Sequence, residues 1–294
     1  MRISSALAAC VLLLAACRSP EGRPLRVGSK NFSEQVLLGE IVAQALEARG
    51  VARVDRRLNL GGTFICHNAV VAGELDLYPE YTGTAFTAIL ERKPVSDPAR
   101  VRAVVSEEYR KRWDLVWAPP LGFENTFAIV MRGDHARRLN VRRISDLAAH
   151  AGSLKPGFGY EFVEREDGFK GLVSTYGLAF RERPAEMDLG LLYPALQSGK
   201  VDLVAGNSTD GLIAAMNLAV LEDDRRYFPP YEAAFVVRGD LWRKNAQVRQ
   251  VCERLGGAID AGTMRRLNAA IDRDKRRPED VAKEFLSGLN FLKE

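Results

Sequence analysis

One piece of secondary structure occurs twice in this chain, and that repetition limits the possible folds more than any other feature. "AVVAGELDLYPEYTGT" (Ala69–Thr84) aligns without gaps to "ALQSGKVDLVAGNSTD" (Ala195–Asp210). Each half has a helix end, a glycine (Gly73 or Gly199), a strand of hydrophobic-Asp-hydrophobic pattern and a polar turn. A second echo pairs "FAIVMRGDHARR" from Phe127 with "AAFVVRGDLWRK" from Ala233, each an apolar strand, Arg-Gly-Asp and a basic helix start. Taken singly, either echo is an ordinary helix-Gly-strand or turn pattern. Together they predict two similar α/β lobes, with the chain crossing between them near residues 122 to 130 and 229 to 236. Lobe one is then residues 25–124 with 233–294, and lobe two is residues 125–232. Two lobes joined by paired crossing strands make a hinge with a cleft between them.

Local patterns agree with an α/β class. Leu25–Gly28 reads as a short strand, followed by a helix in which Val36, Leu37, Ile41, Val42, Ala45 and Leu46 recur at helical spacing. Ser33 is the expected N-cap and Gly50 the stop. A second strand, "VARVDRRLNL", ends at Gly61-Gly62, and a helix is expected from Thr63 to Ala72. Strands alternating with helices predict a largely parallel sheet, whose ligands sit beyond the carboxyl ends of its strands. Further helices are expected around Val248–Leu255, Met264–Ile271 and Pro278–Leu289. Tyr78 continues the apolar alternation of "LDLY" and reads as core, as do Trp113 and Trp117 beside a predicted strand.

The first residues break this pattern. Arg2 precedes an apolar stretch from Ala6 to Ala16, the length of a signal-peptide core and too short to span a bilayer. Residues 1–17 are read as an export signal and 18–24 as a linker. "LAAC" at Leu14–Cys17 resembles the lipobox of bacterial lipoproteins, in which the cysteine is lipidated; the alternative is ordinary secretion with an incidental cysteine. A lipid on Cys17 would tether the folded part to a membrane surface, in the periplasm or at the cell surface. Cys66 and Cys252 have neither a CxxC spacing nor a histidine cluster, so no metal or cofactor is expected. With 42 basic against 38 acidic residues, interspersed, the charge balance argues against a nucleic-acid partner.

If the lobes are pseudo-equivalent, the turns after their matching strands face each other, so that Tyr81 opposes Asn207. Lys30 lies at the same carboxyl edge of lobe one, and the crossing segments bring Asn125, Phe127 and Tyr231 to the cleft floor.

Seven stretches in this order, "VGSKNFSEQ", "LGGT", "DLYPEYTGT", "LGFENTFAI", "EFVEREDGFKGL", "AGNSTDG" and "FPPYEAAFVV", resemble the substrate-binding proteins of osmoprotectant ABC transporters. These bind glycine betaine, choline and carnitine. The resemblance implies the type II periplasmic-binding-protein fold, two parallel-sheet lobes joined by two crossing strands, working as a monomer. It also implies delivery of a small zwitterion or cation to a membrane permease driven by a separate ATPase. A quaternary ammonium has no N–H to donate, so electrostatics and ring faces must hold it, each contact contributing roughly 0.5 to 2 kcal/mol. On this resemblance Tyr81 and Tyr231 are walls of an aromatic cage, Thr84 a hydroxyl donor, and Asn125 and Phe127 further contacts. Lys30 and Arg165 are partners for a ligand carboxylate. Read without the resemblance, Tyr81 is core, Lys30 a solvated turn residue, and Arg165 a surface partner of Glu161, Glu164 or Glu166. Relatives commonly have "AYSTDG" where this chain has Asn207 in "AGNSTDG", which leaves the ligand open to another zwitterion such as an amino acid or ergothioneine-like molecule.

An enzyme is the rival class. The chain has no Gly-x-Ser-x-Gly, P-loop or Gly-x-Gly-x-x-Gly motif, and His67, His135 and His150 have no partner pattern. A dehydratase or lyase on a two-lobed fold would need an acid such as Glu124 or Glu161 aimed into the cleft. A binding protein, not an enzyme, is expected.

Overall fold

A computed structural model describes residues 23–50, 53–289 and 291. Cys17, together with the export signal and most of the linker, lies outside the described residues.

Among the described residues ten strands form two five-stranded sheets of matching design. The first sheet contains β1 (Leu25–Gly28), β2 (Val54–Arg57), β3 (Leu77–Tyr81), β4 (Leu115–Trp117) and β10 (Ala233–Arg238), in the order β2-β1-β3-β10-β4. The second contains β5 (Phe127–Arg132), β6 (Pro156–Gly159), β7 (Ala185–Met187), β8 (Leu203–Asn207) and β9 (Leu218–Val220), in the order β7-β6-β8-β5-β9. Superposing the two orders matches β3 with β8 and β10 with β5, the strands that the two sequence echoes pair. Gly73 and Gly199, which precede the matched strands, both have φ +71.

Each sheet is mixed, which corrects the expectation of parallel sheets. β1 runs parallel to β2 and β3, whereas β10 runs antiparallel to β3 and β4. In the second sheet β5 is likewise antiparallel to β8 and β9. β5 and β10 each arrive from the other lobe and not through a helix on the same sheet, so the right-handed βαβ crossover that enforces parallel pairing does not apply to them.

Both faces of each sheet are covered, and the strands alternate between two cores. In β10, Phe235 and Val237 face the cluster built on Leu37, Ile41 and Val248, while Val236 faces Tyr78, Val101 and Tyr109. In β5, Ile129 and Met131 face one side and Val130 the other. Each such side chain contributes about 1.5–3 kcal/mol on full burial, enough to anchor a crossing strand at both ends. Tyr78, Trp113 and Trp117 pack in the core as read from the sequence. Cys66 and Cys252 are free thiols in separate clusters, and burial pushes each up to about 12.

The helix α1 (Ser33–Ala48) starts after Phe32, which occupies the N-cap; Ser33 is its first residue, and its hydroxyl donates to Asp272. β2 covers Val54–Arg57 of the expected strand 51–60: residues 51 and 52 lie outside the described residues, and Leu58 and Leu60 leave the ladder before the helix α2 (Thr63–Val71). Between β4 and β5, and again between β9 and β10, the chain crosses from one sheet to the other. The crossings pair with each other through Asn125 N to Tyr231 O at 3.0 Å and Ala233 N to Phe123 O at 3.1 Å.

Candidate functional site

The carboxyl ends of β1 and β3, the crossings and the turns after β6 and β8 converge where the two sheets meet. Lys30 follows β1 and is buried, at 4% exposure. Its Nζ donates to Glu80 Oε1 at 2.5 Å and Thr63 Oγ1 at 3.3 Å, and sits 5.1 Å from the centre of the Tyr81 ring. Glu80 is part of β3 and is fully buried. A buried ammonium requires such a counter-charge.

A second ion pair stands on the other side. Arg165 follows the short helix Tyr160–Glu164, and its partner is Asp167, not the neighbouring glutamates. Nε and Nη2 bind the two carboxylate oxygens at 2.8 and 2.5 Å, and Tyr231 donates to the same carboxylate. Burial pushes the Asp167 carboxyl up; the Arg165 guanidinium and the Tyr231 hydroxyl outweigh this and hold it below the usual carboxylate range. Among the described residues the remaining guanidinium edge meets long contacts, from Nη1 and Nη2 to Thr84 Oγ1 at 3.4 and 3.5 Å.

Rings surround both pairs. Tyr81 stacks on Phe32 with centroids 6.4 Å apart. Phe127 meets Phe162 at 4.9 Å and Tyr231 at 5.7 Å, both edge-on, and the Arg165 guanidinium lies 5.1 Å from the Phe127 ring centre.

Beside Tyr81 and Asn125 lies Glu34, which reads in sequence only as a first-turn acid of α1. It is 3% exposed and accepts four hydrogen bonds. Tyr81 Oη and Asn125 Nδ2 reach Oε1 at 2.7 and 2.8 Å; Thr209 Oγ1 and Asn268 Nδ2 reach Oε2 at 2.6 and 2.7 Å. Burial raises its pKa above the ordinary carboxylate value, an effect the four donors oppose. Nearby, Asp210 is raised to about 6 by burial, against hydrogen bonds from Tyr193 and the Asn207 amide.

The lobes also touch through Glu161. Its carboxylate accepts from Thr63 N at 2.6 Å and Thr63 Oγ1 at 3.1 Å, at the start of α2. Gly62 makes this approach possible, since any side chain there would overlap the carboxylate.

Of the residues singled out in the sequence, Lys30, Tyr81 and Asn125 share one network and Thr84, Phe127, Arg165 and Tyr231 share another. Asn207 is half-buried in register with Phe127, and the turn that follows it reaches the junction through Thr209. Sequence reading passed over Glu34, Glu80, Asp167, Thr209 and Asn268. Among the described residues no group of three or more His, Cys, Asp or Glu is placed to hold a metal, and no helix is long and apolar enough to cross a membrane. His67, lowered to about 4 by burial, packs against Tyr109 and Trp113.

A profile of the family described as the substrate binding domain of ABC-type glycine betaine transport system matches residues 23–288. The chain is 36% identical over 286 residues to a Helicobacter pylori protein named ergothioneine transport permease/ergothioneine binding protein EgtU, covering 97% of this chain and 51% of that one. It thus spans about half the length of that relative. It is 35% identical over 300 residues to a Pseudomonas aeruginosa glycine-betaine-binding protein, covering 99% of this chain and 95% of that one. A solved structure described as a glycine betaine/carnitine/choline ABC transporter superposes with a TM-score of 0.74 at 31% identity, over 91% of this chain and 99% of the other.

Proposed function

Since the chain belongs to the family of substrate binding domains of ABC-type glycine betaine transport systems, we propose that it captures a small quaternary ammonium zwitterion between its lobes and delivers it to a membrane permease driven by a separate ATPase. The observation that carries this reading is the pairing of ring faces with a half-used guanidinium. Asp167 orients Arg165 through one edge, leaving the edge toward Thr84 to bind a carboxylate with two parallel hydrogen bonds. Phe127, Tyr231 and Tyr81 supply ring faces for the cation, as does Phe32, which stacks on Tyr81. Lys30 adds positive charge beside Tyr81, balanced by Glu80. Relatives that match over this length are named as binding proteins, one for glycine betaine and one for carnitine transport.

A second ligand class is favoured by one position. Asn207 supplies an amide in place of a ring, which suits a zwitterion with hydrogen-bonding groups, and one relative is named for ergothioneine. Anchoring through a lipid on Cys17, export, and action as a single copy complete the proposal.

A thermal-shift panel on the purified protein tests it, with glycine betaine, choline, carnitine, proline betaine, ergothioneine and common amino acids. A ligand at a hundred times its dissociation constant stabilises by about 2.7 kcal/mol. A shift with an amino acid and none with any quaternary amine would refute the cage. Asn207→Tyr should tighten a trimethylammonium ligand by about 1 kcal/mol; weaker binding would mean that the amide itself contacts the ligand. Cys17→Ala should move the protein from the membrane fraction to the soluble one.

A further inference from the structure

The turn after β8, Ser208–Gly211, makes contacts that neither ion pair nor ring explains. Thr209 is fully buried; its hydroxyl donates to Glu34 and its carbonyl accepts from Asn268 Nδ2 at 2.9 Å. Gly211 lies so near Ala269 that a Cβ would overlap the Ala269 backbone. Glu34 is on α1, and Asn268 and Ala269 are on the helix Ala261–Asp272, which packs on α1. This turn of the second lobe is therefore seated on helices of the first.

One carboxylate thus gathers donors from four segments: β3, the first crossing, the turn after β8 and the helix Ala261–Asp272. Asn125 and Asn268 both turn their amide nitrogens to it, and their Oδ1 atoms have no hydrogen-bond partner among the described residues. A buried carboxylate short of a donor is costly, whereas one exposed by lobe opening is supplied by water.

We propose that Glu34 is a positioning residue that ties the orientation of the Tyr81 ring to lobe closure, one oxygen holding Tyr81 and the other receiving Thr209 as the turn arrives. Closure completes the donor set, and the completed set fixes the ring. Glu34 acts through Tyr81 and does not touch the ligand. The inference rests on the reading of this junction as the ligand site.

The test uses the full-length chain with fluorophores on Arg110→Cys and Lys155→Cys, exposed positions beside the first and second sheets. Cys66 and Cys252 are buried, and Cys10→Ser with Cys17→Ser removes the other two native thiols, so labelling falls on the introduced ones. Thr209→Val should move the closed-to-open ratio toward open about ten-fold, as expected for one hydrogen bond to a charged group. Thr209→Ser should restore it, and Gly211→Ala should open the protein by steric overlap. Binding of glycine betaine should weaken in parallel, and Tyr81→Phe combined with Thr209→Val should weaken it by less than the product of the single effects. An unchanged closure ratio in Thr209→Val, or strictly multiplicative effects in the pair, would overturn the proposal. If closure responds as stated while the wild type ignores glycine betaine, choline, carnitine and ergothioneine, the ligand reading fails and the role of Glu34 in closure stands.

Discussion

At the scale of single residues, the junction is a set of charges already settled by their neighbours. Lys30 with Glu80 and Arg165 with Asp167 are ion pairs buried on both sides, at side-chain exposures of 5% and 0% in each pair. Such a pair adds little net stability over an apolar replacement, but breaking it leaves an uncompensated charge. Asp167→Asn, which keeps the shape, should therefore destabilise the protein by about 3–5 kcal/mol, read as a lower denaturant midpoint. It should also release Arg165 from its fixed orientation and weaken any carboxylate ligand. The basic and aromatic members of this set were legible because each stands in a distinctive stretch such as "GSKNF" or "YPEYTGT". Their acidic partners were not. Glu34 in a first helical turn, Glu80 after a proline and Asp167 in a run of charges all have common solvent-exposed interpretations, and only the meeting of distant segments buries them.

At the scale of elements, the sequence echoes correspond to topologically equivalent strands, and the glycines before them share one left-handed conformation. In that region an L side chain is strained by roughly 1 kcal/mol. Gly199→Ala should thus lower stability by about that amount, whereas Gly190→Ala, with a negative φ and no atom within 4 Å of its Cβ, should leave the denaturation midpoint unchanged. Strands β1, β3, β5, β8 and β10 and the helices after β1 and β2 followed from periodicity and punctuation, whereas the short strands β6, β7 and β9 carry no such signal. Strand direction did not follow either, because β5 and β10 look like any apolar strand until it is known which lobe they come from. Boundaries also moved where hydrophobic residues continue past the ladder, as in Leu58 and Leu60.

At the scale of the whole molecule, the junction makes stability depend on acidity. Burial raises Asp210 from 3.8 to about 6, while in the unfolded chain it ionises at its ordinary value. Between about pH 4 and pH 6 the folded protein then holds the extra proton, so this group's contribution falls as pH rises through that window. Glu34 acts in the same direction, and Asp167, with its lowered value, in the opposite one. Asp210→Asn should flatten the decline, seen as urea midpoints that differ less between pH 4 and pH 6 than in the wild type.

The path of the chain through the two sheets also sets an order of events. The second sheet is built from one continuous run, Phe127 to Val220, whereas the first needs β10 to join β3 to β4. During synthesis from the N-terminus, β1 to β4 emerge early and must wait for their central partner until Ala233–Arg238 appears. The second lobe can mature first, holding the first sheet's two unjoined edges at a distance set by the crossing. The exposed flanks of β3 and β4 are then the part of the nascent chain most open to wrong partners, and the stretch after Pro230 ends that exposure.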